Sequence, residues 1–170
     1  MRSDLYDQDF LLWTEREAGL LRAAAGRSNE PLDWDNLAEE VESLGRSQVS
    51  ELHRRLGRIV EHLLKLQFSP ASEPRRGWGE TVFQQRDDVQ RLLEVSPTLR
   101  PRVPEILPGI GERTARLVAS ILENYREFSA AEAVRAHGGR FAVEQVLTAP
   151  IAQFCREAEA ADGGPGQARP

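Results

Sequence analysis

Between Leu37 and Leu66 an apolar side chain returns at Leu37, Val41, Leu44, Leu52, Ile59, Leu63 and Leu66, with Gln48 and Leu56 near the same face. The 29 residues are covered in eight steps, an average close to the α-helical period. This spacing predicts one helix over about 34–68, capped by Asp33 and stopped by Ser69-Pro70. At 1.5 Å per residue it spans about 52 Å. Gly45 and Ser47 are its weak points. An interior glycine costs about 1 kcal/mol, enough to bend a packed helix without abolishing it. A face held for eight turns needs helices to cover it, and no alternating strand pattern of useful length competes. The fold class that follows is all-α, an antiparallel bundle built around this long helix, with shorter helices toward the C-terminus.

The length of 170 residues suits one domain, and 40% hydrophobic against 29% charged residues excludes bulk disorder. We place the domain at 1–160. The tail 161–170, with its run Gly-Gly-Pro-Gly-Gln-Ala-Arg-Pro, has nothing to bury and is expected to be flexible. No window approaches 18 uncharged apolar residues, and Met1-Arg2-Ser3-Asp4 turns acidic at once, so a cytoplasmic protein without a membrane span is expected. Cys155, the single cysteine, can form neither an internal disulfide nor a cysteine-rich metal site.

The remaining elements follow from caps and breakers. A first helix is expected from Asp7, as cap, to Ala25, with Phe10, Trp13, Leu20, Leu21 and Ala24 inward. Residues 72–79 read as a loop carrying Trp78, and a third helix as Glu80 to Val95 with Val82, Val89, Leu92 and Leu93 inward. Ser96-Pro97 opens a new helical turn. Pro101, Pro104 and Pro108 each remove a backbone donor, so 97–108 reads as short turns or a broken helix. Glu112 to Phe128 resumes, with Val118, Ile121, Tyr125 and Phe128 on one face. Ser129 and Glu132 match a capping box for the next helix, which His137-Gly138-Gly139 ends. A last pair, 142–147 and 151–160, is split at Pro150.

Charge bears on function class. Of the 22 basic residues, all but Lys65 are arginine, a residue suited to phosphate and carboxylate forks. They are scattered among carboxylates in a chain of pI about 5.3, unlike the concentrated basic patch of nucleic-acid binding. The sign also changes along the chain: 1–42 carries 11 acids and 4 bases, whereas 46–65 carries five bases and two acids. If the two stretches pack together, that polarity helps to set their pairing.

Three segments carry a family resemblance. They are Tyr6-Asp7-x-Asp9-Phe10-x-x-Trp13, the block Asp33-Trp34-x-Asn36-Leu37-Ala38-Glu39-Glu40-Val41-Glu42-Ser43-Leu44-Gly45-Arg46-Ser47, and His62-Leu63-Leu64-Lys65. With Trp78, Arg86, Leu93-Glu94-x-Ser96-Pro97-x-Leu99-Arg100 and Val143-Glu144-Gln145-Val146-Leu147, they resemble the bacterial domain of unknown function 29 family over about 5–150. The resemblance implies a small, mostly helical bacterial protein and no established activity, substrate or catalytic residue. The chain departs from the family pattern at Pro101, Pro104 and Pro108, where the family reads as plain helix.

Two motifs carry sharper chemistry. Ile106-Leu107-Pro108-Gly109-Ile110-Gly111-Glu112 resembles the hairpin of helix-hairpin-helix DNA-binding modules, in which the N–H groups of Gly109, Ile110 and Gly111 would approach a phosphate. Glu112 puts a carboxylate where the phosphate should sit, and a tight helix-to-helix turn is the favoured reading. The second is Glu39, Glu40 and Glu42 with His53 or His62, residue types fit for metal or acid–base chemistry. Glu40 and His62 are 22 residues apart, about 33 Å along one helix, so they meet only if the chain reverses near Gly45 or a second subunit packs antiparallel.

His62 also lines up with Glu51, Arg55 and Arg58 on one ridge, read as an ion-pair row bordering the core. Trp13, Trp34 and Trp78 read as packing anchors. Cys155 has no base beside it in sequence and is not taken as a nucleophile.

The candidate polar residues are therefore Glu39, Glu40, Glu42, Arg46, His62, Lys65, Trp78 and Arg86, with no metal and no cofactor expected. The leading expectation is a non-catalytic interaction or regulatory module that binds a protein partner or forms a homo-oligomer. An acid–base or metal-dependent enzyme using Glu40, Glu42, His62 or Arg86 is the alternative, and a DNA-binding hairpin ranks third.

Overall fold

The computed structural model describes residues 4–155. Seven α-helices follow one another: α1 Leu5–Gln8, α2 Phe10–Ala25, α3 Trp34–Phe68, α4 Arg75–Val95, α5 Val103–Asn124, α6 Phe128–His137 and α7 Val143–Leu147. Short 3-10 segments at Pro97–Arg102 and Ile151–Phe154 complete them, and the described residues contain no strand. The long helix is one rod, capped by Asp33, whose carboxylate accepts from the Asn36 N–H at 3.3 Å. It ends at Ser69-Pro70 as its sequence predicts.

The helices α2 and α4 run antiparallel to α3, at opposite ends of it. Arg22 near the end of α2 bonds Glu42, while Leu11 and Thr14 near its start lie against Gly45. On the other side Arg55 meets Asp88 at 2.5 Å, and Arg75 donates to the Leu66 and Ser69 carbonyls. The helix α5 runs parallel to α3, with Ile110 and Thr114 beside Gly57. The two halves of α3 are therefore clothed unequally. Trp34 to Glu51 buries only Ala38 and Gly45, whereas Leu52 to Phe68 buries eight residues beneath α4, α5 and the C-terminal elements. The core is Leu52, Leu56, Ile59, Leu63 and Leu66 with Val82, Val89, Leu99, Ile110, Val118 and Val146.

Several elements differ from the sequence reading. The first helix breaks at Asp9, which is extended; Asp9, not Asp7, caps α2, accepting from the Leu12 N–H at 3.0 Å and from the Thr98 N–H and hydroxyl at 2.7 and 2.5 Å. Its buried side is Leu11, Thr14 and Ala18, and Leu20 is exposed. The residues 75–79, expected as loop, form the first turn of α4, so Trp78 is helical. Ser96 does not cap; its hydroxyl accepts from the Leu11 N–H at 3.3 Å.

The helix α5 runs unbroken through Pro104 and Pro108. Pro104 occupies the first turn, where no donor is needed, and Pro108 frees only the Pro104 carbonyl on an exposed face. The helix then stops at Asn124. Tyr125 and Phe128, expected on one helix face with Val118, lie beyond the helix and are exposed, and α6 starts at Phe128 without the Ser129 capping box. The Glu127 N–H bonds the Leu122 carbonyl at 2.8 Å and the Arg126 N–H bonds that of Glu123 at 2.9 Å, a Schellman closure with Arg126 in the left-handed position glycine normally fills. As expected, Gly138 ends α6 in that same conformation. The helix expected over 151–160 is a 3-10 turn to Phe154, and 156–170, including the tail, lies outside the described residues.

Candidate functional site

The dense motif block Asp33–Ser47 forms the uncovered half of α3, which pairs with α2 as a two-helix arm. Gly45 makes the close crossing possible: it is buried, and a Cβ there would overlap Thr14 Oγ1 and touch Leu11 Cδ1 at 3.0 Å. The glycine expected as a bend is thus a seat for α2.

Beside this seat three of the predicted residues come together. Glu39 and Glu42 face two arginines. Arg46 bonds Glu39 at 2.5 Å and lies 3.9 Å from Glu42, while Arg22 bonds Glu42 and lies 3.8 Å from Glu39. The Arg22 guanidinium, by hydrogen bond and by charge, holds the Glu42 carboxyl below the usual carboxylate range. Two bases thereby balance two acids on an exposed surface, a quartet that bridges α2 and α3 and contributes modestly to their pairing. Sequence reasoning missed Arg22 because nothing local links it to a helix 20 residues on.

On the opposite rim of α3 lies a different feature. Leu37, Glu40, Leu44 and Ser47, in steps of three and four from the cap Asp33, form one ridge, and all five are exposed. Leu37 retains 43% of its accessible surface and Leu44 47%, although both belong to the apolar series that is buried further along. Leu32 in the preceding turn retains 52%. From Glu30 to Leu44 the chain holds six carboxylates and no basic residue. Only Glu39 and Glu42 of these are ion-paired among the described residues.

The other predicted residues lie elsewhere. His62 is buried at the covered end, about 33 Å from Glu40 along the same unbroken helix. Burial, reinforced by Lys65 and Arg58 and opposed by Glu61, pushes its pKa down to about 4, so it is neutral near pH 7. Of the expected row, Arg55 bonds Glu51 at 2.6 Å as well as Asp88, and Arg58 bonds Glu61; His62 joins neither pair. Lys65 pairs with Glu61 at 2.6 Å and lines, with Trp78, Ser69, Tyr125 and Glu127, a cleft of about 400 Å³. Within it the Ser69 hydroxyl donates to Glu127 at 2.9 Å.

Arg86 donates to the carbonyls of Gln145, Val146 and Ala149 at 2.7–2.8 Å, so its fork is consumed in holding the end of α7. Gly109, Ile110 and Gly111 sit in mid-helix, their N–H groups directed along the helix ladder, and neither the DNA-binding hairpin nor the tight turn is formed. Gly111 instead lies against the backbone of Gly139, with no room for a Cβ on either. Among the described residues, no three His, Cys, Asp or Glu side chains gather as a metal site, and no helix is long and apolar enough to cross a membrane.

A model of the family described as domain of unknown function DUF29 matches residues 5–147. The chain belongs to the DUF29 family. Its segments from Tyr6 to Leu147 are thus one family unit, with the arm and the covered bundle both inside it. Among solved structures, the DUF29 chain is similar to an alpha-helical protein of unknown function from Rhodospirillum rubrum ATCC 11170. They share 22% identity and a TM-score of 0.63, over 71% of this chain and 76% of that one. This likeness shows the fold: the long helix packed among shorter ones. No curated protein matches the chain.

Proposed function

We propose that this DUF29 protein is a cytoplasmic interaction module that works through the outer ridge of its α2–α3 arm. The observation that carries the reading is the exposure of Leu37 and Leu44 on a helix whose apolar series is buried from Leu52 onward. Leucines repeated every two turns on a rigid, half-covered helix form a seam into which another helix can pack. The polar groups support the same reading. Glu39 and Glu42 are occupied by arginines and Arg86 by carbonyls, while His62 lies far along α3 from Glu40. The acids and the imidazole are thus held apart rather than aimed at a common substrate atom.

The test compares the full chain with a Leu37→Asp/Leu44→Asp variant. Both positions are exposed, so helix content and thermal stability should hardly change. The wild-type chain should show either concentration-dependent mass in light scattering or a partner retained from cell extract, and the variant should lose it. A monomer with no ridge-dependent partner would overturn the reading.

A further inference from the structure

Resting on the interaction reading above, we infer that the arm's partner presents a basic amphipathic helix rather than a second copy of this chain. The ridge alternates apolar and acidic positions: Leu37 and Leu44 are interleaved with Glu40 and preceded by Asp33. Glu30 in the preceding turn is exposed as well, whereas Asp35 shares the row of Glu39 and Glu42 and acts on Arg22. None of Glu30, Asp33 and Glu40 has an ion-pair partner among the described residues, in a structure where Arg22 and Arg46 neutralise the neighbouring Glu39 and Glu42. The charge balance is therefore local. Acids beside α2 are matched, and acids beside the leucines are left unmatched.

Two copies meeting through this ridge would bring six unmatched carboxylates together as their leucines lost water, and like charges side by side oppose association. A helix with apolar residues at three- and four-residue spacing and Lys or Arg flanking them satisfies both halves of the surface: its apolar stripe covers Leu37 and Leu44, and its cations face Asp33 and Glu40. The same field repels nucleic acid and anionic lipid, so the cation-bearing ligand is a polypeptide.

The experiment uses fluorescence anisotropy with the full chain and three labelled synthetic peptides of one length: a Leu/Lys amphipathic helix, its scrambled sequence, and the same helix with Glu for every Lys. The Leu/Lys helix should bind at least tenfold more tightly than either control, with affinity falling as salt rises. Leu37→Ser/Leu44→Ser should weaken it at least tenfold, and Asp33→Asn/Glu40→Gln should flatten the salt dependence. Equal binding of the Lys and Glu helices, or binding indifferent to the ridge variants, would overturn the inference. Self-association abolished by Leu37→Asp/Leu44→Asp would overturn it while sparing the interaction reading. Absence of both peptide binding and any ridge-dependent association would remove the two together.

Discussion

Thr14 Oγ1 occupies the space that a side chain on Gly45 would need. Its hydroxyl donates to the Leu11 carbonyl at 2.7 Å, folding the Thr14 side chain back onto α2, so that the side chains of Thr14 and Leu11 rest on the backbone of Gly45. Gly45→Ala gains up to about 1 kcal/mol of helix propensity but overpacks the crossing, an effect of about 1–3 kcal/mol. Net destabilisation is expected in urea unfolding. Thr14→Ala opens the space, so the double variant should lose less than the two single losses combined. Additive losses would show that the two residues do not meet.

His62 sets an acid limit on stability. Its folded pKa of about 4 lies below the 6.5 of a free histidine, so between those values the unfolded chain binds the extra proton. Stability should be complete above about pH 6.5, fall as pH drops toward 4, and lose nothing further from this group below that. The full swing is about 3 kcal/mol. His137, also lowered by burial and then by Arg140, acts in the same direction. His62→Leu should flatten the slope between pH 6.5 and 4 in denaturant titrations. An unchanged slope would assign the loss to other groups.

Arg86 should behave as a clamp on the C-terminal end of the bundle. Arg86→Ala releases three carbonyls at once and should cost about 3 kcal/mol, since hydrogen bonds from charged groups count for more than neutral ones. Hydrogen exchange should accelerate first across 143–155. Arg86→Lys should not restore it, because a single ammonium cannot reproduce the planar fork. Full rescue by lysine would contradict the clamp.

Arg126 carries a φ of 63° where the chain turns between α5 and α6. A non-glycine residue there stores about 1 kcal/mol or more, so Arg126→Gly should raise the melting temperature despite the added freedom of the unfolded chain. A lower melting temperature would mean that the arginine side chain supplies more than the strain removes.

The long helix was legible because its period, its cap at Asp33 and its stop at Ser69-Pro70 all agree locally. Where the reading failed, distant partners decided. Asp7 and Asp9 suit a cap equally well in sequence, and Thr98, 89 residues away, selects Asp9. The glycine- and proline-rich start of α4 looks like loop until Arg75 is seen bonding the end of α3. At the candidate site, Glu39, Glu42 and Arg46 share a visible helical spacing, but Arg22 comes from another helix. Arg86 was offered as a candidate for chemistry, whereas its partners are backbone carbonyls that no side-chain pattern can reveal.

A helical hairpin standing beyond the main bundle has an inner surface and an outer one, and only the inner is dry. Amide protons of the arm should therefore exchange by small openings well below the energy of global unfolding, while those from Leu52 to Leu66 wait for the whole molecule to open. Since both sets belong to one continuous rod, anything that stiffens the arm also quiets the near end of the interior. Evolution can then vary what the arm meets without rebuilding the part that keeps the chain folded.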